Sequence, residues 1–87
     1  MEIIYLRKFQ KDIESLPSEA KIQLKKIIFS CKEAGTIREL PSLKKLTSYS
    51  SAYRIRMGNY RIGIFIENNI IEFARIAHRK DIYKLFP

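Results

Sequence analysis

Between Ala52 and Ile66 the chain reads AYRIRMGNYRIGIFI, with Arg54, Arg56 and Arg61 on either side of Gly58-Asn59. Side chains of a strand alternate between faces, so this spacing gathers the three arginines on one face of a hairpin. A two-residue turn at Gly58-Asn59 pairs Met57 with Tyr60, Arg56 with Arg61, Ile55 with Ile62 and Arg54 with Gly63. Like charges opposed in this way destabilise a sheet by roughly 0.2–1 kcal/mol per pair, a cost that an anion between them removes. Arginine's planar fork matches phosphate with two hydrogen bonds at once, so the chemistry indicated is the holding of a phosphate. Gly63 has no side chain and is expected to open a depression beside Arg54.

The same pattern has a plainer reading, a solvated sheet face whose arginines pair with Glu67 and Glu72. His78 taken alone fits a structural or surface role at least as well as a catalytic one. Tyr83, like Phe9, Tyr60 and Phe73, reads by itself as a packing residue. Net charge alone locates no site: 17 Lys and Arg against 9 Asp and Glu give +8, which suits a polyanion or an acidic protein. The excess is even along the chain, but its type changes. Lysine dominates the first part, whereas five of the seven basic residues after Ser48 are arginine.

With 87 residues, 46% hydrophobic and 30% charged, the chain reads as a single domain over residues 1–87. Phe9, Ile13 and Leu16 follow a first strand over residues 2–7 and fall at helical spacing. Pro17-Ser18 starts a second helix whose stripe Ala20, Leu24, Ile27, Ile28, Cys31 and Ala34 stops at Gly35. Cys31 lies in that stripe and reads as a core filler without an internal disulfide partner. Thr36 to Ser51 reads as a long connection, with a helical turn expected at Ser42 to Leu46. From Ala52 the period becomes two. Strands are expected on both sides of Gly58-Asn59, then a third from Ile70 to Ala77 after a turn at Asn68-Asn69, then a short C-terminal helix.

The fold class is therefore α+β in the order β-α-α-β-β-β, a helical hairpin on an antiparallel sheet. One sheet face covers the helices and the arginine face is expected to stay free, extended through Glu72, Ala74 and Ile76 to His78. The apolar core of a signal peptide is absent, and the run Ile62 to Ile66 is far short of the roughly 20 residues that span a bilayer. A cytoplasmic protein that engages no membrane is expected.

The stretches LRKFQKDIESLP, LKKL, YRIRMGNYRIG and AHRKDIYKLFP together resemble the RelE/ParE superfamily of small toxins, specifically its RelE-like members. That resemblance spans essentially the whole chain. It implies an RNA-cleaving toxin that acts on translated mRNA at the ribosome without a metal or other cofactor. It also implies an acidic antitoxin as partner, with operator DNA reached only through the antitoxin complex. By position it makes Arg54 and Arg56 the basic strand pair that binds RNA phosphate and Arg61 the phosphate-binding arginine. Arg79 corresponds to the basic residue that begins the C-terminal segment, Tyr83 to its tyrosine, and His78 precedes that segment. RelE toxins often carry lysines where this chain has Arg54 and Arg56, and arginine cannot serve as a base. General-base duty then falls to His78 or to no side chain. A ParE-like inhibitor of DNA gyrase, or a toxin that only binds antitoxin and operator DNA, are the alternatives on this fold.

Overall fold

A computed structural model describes residues 1–87. The order is β1 (Glu2–Tyr5), α1 (Arg7–Glu14), α2 (Ser18–Glu33), a 3₁₀ turn (Ile37–Glu39), β2 (Leu43–Lys45), β3 (Ala52–Met57), β4 (Tyr60–Glu67), β5 (Ile70–His78) and α3 (Ile82–Leu85). The sheet runs β1-β5-β4-β3-β2, with β1 parallel to β5 and the other neighbours antiparallel. This is the expected α+β architecture with one strand more than the sequence suggested.

The helical hairpin covers one sheet face as its apolar spacing requires. Phe9 of α1 and Leu24 and Cys31 of α2 are buried against Ile55, Ile62 and Phe73 in one continuous core. Glu19 in the first turn of α2 and Lys32 in its last complement the helix dipole. The Met1 ammonium closes the far end of that helix, donating to the Lys32 and Ala34 carbonyls at 3.0 and 2.8 Å.

The expected helical turn at Ser42 to Leu46 is instead the edge strand β2. Leu43 and Leu46 are three residues apart, a spacing that one turn of helix also satisfies, so the sequence alone does not separate the two. Pairing decides: Leu43 lies opposite Ile55, and the Arg56 N–H donates to the Ser42 carbonyl at 3.2 Å. Ser42 itself takes a left-handed conformation, φ +46°, to aim the chain along β3. A short edge strand carrying two lysines also discourages pairing with other chains.

The β3–β4 register is the one the sequence dictates, including Arg56 opposite Arg61 and Arg54 opposite Gly63. On β5 it departs. A bulge leaves Ala74 unpaired, because Gly63 lies opposite Arg75 and Ile64 opposite Phe73. One extra residue inverts the alternation beyond it, so Ile76 joins the helix-side core and His78 lies opposite Tyr60. The expected extension of the arginine face through Ile76 to His78 is thereby corrected, with Glu72 and Ala74 remaining on that side.

The arginine face is not free along its whole length either. Ile82 and Phe86 pack with Ala52 and Ala74 in a second, smaller core, which seats α3 on that face. Phe86 fills the depression expected at Gly63. What stays open is the end of the face nearer β2.

Candidate functional site

The open end of that face is a cavity of about 410 Å³ lined by Ser42, Lys44, Arg54, Arg56, Arg61 and Tyr83. Each wall has a separate origin. The alternation of β3 aims Arg54 and Arg56 to one side, the tight turn returns Arg61 beside Arg56, and β2 pairing brings Lys44 opposite Arg54. The helix α3, anchored by buried Ile82, carries Tyr83 over the edge.

None of these four cations meets a carboxylate. The ion pair the fold does contain joins Arg75 to Asp12 at 2.8 Å, and neither Glu67 nor Glu72 partners an arginine. The plainer reading of the arginine face, a set of surface salt bridges, is therefore not what forms. Four cations facing one cavity without a counter-charge repel one another, and a bound polyanion relieves that repulsion.

Arg61 is anchored at one end. Its Nη1 donates to the Gly58 and Tyr60 carbonyls at 2.8 and 2.9 Å, which occupies one end of the guanidinium. The Nε and Nη2 edge, which Arg75 uses to grip Asp12 with two parallel hydrogen bonds, is left for an external oxyanion. Arg54 lies over the Tyr83 ring, its guanidinium carbon 4.6 Å from the centroid. Arg54 also holds the Tyr83 phenol below its ordinary range, first by hydrogen bonding to the ionised oxygen and then by its charge, with Lys44 and Arg61 pulling the same way. In the resting geometry the guanidinium faces the ring and makes no hydrogen bond to the hydroxyl, so charge is the part this arrangement carries directly.

Of the residues singled out from the sequence, Arg54, Arg56, Arg61 and Tyr83 converge on the cavity, and His78 and Arg79 do not line it. His78 stands on the helix side, edge-on to Tyr60 at 6.0 Å between ring centroids, and its Nδ1 accepts the Lys80 N–H. Arg79 is exposed at the turn, its own N–H donating to the Asn59 carbonyl at 2.8 Å. Tyr83 is not the packing residue its type suggests, since 74% of it remains exposed. Lys44 and Ser42 were missed, and only the assignment of β2 could have found them. Cys31 is the core filler expected, fully buried, and burial pushes its thiol up to about 11.

The model of the family described as "ParE toxin of type II toxin-antitoxin system, parDE" matches residues 3–83. Toxin RelE3 of Methanocaldococcus jannaschii is 39% identical over 88 residues, covering all of both chains. The chain belongs to the RelE/ParE superfamily of type II toxins. It is of RelE type, as its structural relatives agree. The toxin in the RelB-RelE antitoxin-toxin complex from Methanococcus jannaschii superposes with a TM-score of 0.83 at 37% identity, covering 97% of this chain and 99% of that one. A chain of the archaeal RelE-RelB complex from Pyrococcus horikoshii gives a TM-score of 0.74 at 20% identity over 90% and 93%, a likeness of fold. No helix of this toxin is long and apolar enough to cross a membrane.

Proposed function

We propose that this toxin is a ribosome-dependent endoribonuclease that cuts translated mRNA through attack of a ribose 2′-OH on the adjacent phosphate. The observation that carries the reading is the convergence of Arg54, Arg56, Arg61 and Lys44 on one cavity without a carboxylate among them. In this reaction the 2′-oxygen forms a bond to phosphorus, the bond to the 5′-oxygen breaks, and negative charge grows on the phosphoryl oxygens between. The protein has to bind that charge and place the 2′-OH in line, and no protein nucleophile is needed. Arg61 offers its free edge to the phosphoryl oxygens, with Arg54 and Arg56 beside it. Arginine keeps its proton, so donation to the leaving 5′-oxygen falls to the cavity's Tyr83 hydroxyl or Lys44 ammonium, while the proton of the attacking 2′-OH, which no arginine can accept, passes to solvent water in the open cavity. The reading gives His78 no contact with the reacting atoms. Arg79, exposed at the Asn59 turn and outside the cavity lining, adds only to the general positive charge of the chain.

The partner chemistry follows from charge. A +8 chain whose relatives are solved as RelB-RelE complexes suits an acidic antitoxin that covers the basic cavity, with charge speeding encounter and apolar burial giving affinity. Mapping mRNA 5′ ends after brief induction tests the activity: new ends inside translated frames are expected, the same RNA staying mostly intact off the ribosome. Inhibited gyrase supercoiling with unchanged mRNA ends would replace this reading with a ParE-like one, the alternative that the name of the matching family model raises.

A further inference from the structure

A second cavity of about 290 Å³ adjoins the basic one and shares Arg54 and Tyr83 with it. Its other walls include Leu46, Thr47, Tyr49 and Phe86. Two features set it apart from ordinary surface. Tyr49 and Tyr83 are left 50% and 74% exposed together at one cavity on a strongly basic face, whereas the other exposed rings, Phe29 and Tyr5, line neither cavity. The loop bearing Tyr49 is tied down at both ends of its turn, the Tyr49 N–H donating to the Leu46 carbonyl at 3.3 Å and Lys45 Nζ to the Tyr49 carbonyl at 2.7 Å.

We infer that this second cavity is a nucleobase subsite in which Tyr49 forms a wall, and that it sets the base preference next to the cut. The inference rests on the ribonuclease reading above. A base is a flat, π-faced group on a charged backbone, and what suits it is an aromatic surface beside a phosphate site. Arg54 belongs to both cavities, so a phosphate held by the arginines places one neighbouring base against Tyr49 and Tyr83. Phe86, buried on Gly63 and 5.0 Å between ring centroids from Phe65, gives that base a rigid apolar floor. The Thr47 hydroxyl on the rim can donate to or accept from the base edge, so the subsite does more than stack. The size agrees: about 290 Å³ lies at the small end of ligand pockets, room for one base rather than a folded partner.

The test is single-turnover cleavage on ribosomes programmed with mRNAs that vary each base around the cut. Tyr49→Ala is expected to lower kcat/KM by about 5- to 100-fold, mainly through KM, and to flatten the preference at one position adjoining the cut. Tyr49→Phe keeps both, because stacking needs the ring and not the hydroxyl. Tyr49 is exposed, so neither substitution threatens the fold. Wild-type rate and unaltered base preference in Tyr49→Ala would overturn the subsite while leaving the ribonuclease reading intact. Wild-type protein that leaves ribosome-bound mRNA uncut would overturn both.

Discussion

The Phe86 ring covers Gly63 so closely that a methyl group on the glycine would stand inside it. Gly63 has ordinary backbone angles, so the requirement for glycine here is one of space and not of conformation. The contact seats the C-terminal segment on β4 and with it Tyr83, three residues earlier. Gly63→Ala is therefore expected to cost about 1–3 kcal/mol through overpacking. For a chain of this size each kcal/mol lowers the melting temperature by roughly 4–8 °C. In thermal denaturation, Phe86→Ala should add little to Gly63→Ala, since the first change has already displaced the ring. A full additive loss would mean that the glycine matters for another reason.

The Arg54 guanidinium keeps the Tyr83 phenol below its ordinary range. The folded pKa thus lies under the unfolded value near 10, and any stabilisation is fully present only above that value and lost as pH falls through the folded pKa. Absorbance titration of tyrosinate, with Tyr83→Phe subtracted to isolate one of the five tyrosines, is expected to show Tyr83 ionising early. Arg54→Gln should move that step upward. An unmoved step would remove Arg54 as the cause.

Asp12 does two jobs at the β5 bulge. It takes two hydrogen bonds from Arg75 and, at 3.0 Å, the Ile76 N–H. That N–H lies beyond Tyr5, where β1 no longer pairs with β5. Asp12→Ala leaves a largely buried cation and a backbone donor without partners, and is expected to destabilise by about 1–3 kcal/mol. Asp12→Asn, which can still accept, should lose less. Urea denaturation of both variants measures the difference, and equal loss would show that charge rather than acceptance is what counts.

The β3–β4 hairpin was legible because two independent signals coincide, a period of two and a Gly-Asn turn that permits one register. The helical hairpin was legible for a similar reason, an apolar stripe bounded by Pro17 and Gly35. The bulge was not. It rests on one small residue, Ala74, that any strand would accept, yet it turns every later side chain over and sends His78 to the opposite face. Lys44 was hidden because LKKL fits a helical turn as well as an edge strand. Phe86 on Gly63 was hidden because a missing side chain looks like an open depression until something long-range is known to fill it.

The inverted face of His78 gives the sharpest division between the sequence reading and the geometry. If histidine carried the proton, its loss would slow cleavage by about 10²–10⁴-fold and erase a rate dependence near the imidazole range. With the ring edge-on to Tyr60 on the helix side, His78→Ala is instead expected to keep the single-turnover rate within a few-fold and leave the pH profile unchanged. Arg61→Ala is expected to lose about 10²–10³-fold, the usual cost of removing one donor to a developing oxyanion. Arg61→Lys should recover only part of this, because a lysine restores the charge but not the two-pronged edge. Both arms use the same programmed ribosomes, so a shared defect in ribosome binding shows as a change in half-saturation and not in the saturated rate. A large loss of saturated rate in His78→Ala would return the proton to histidine and require that α3 and the end of β5 rearrange on the ribosome.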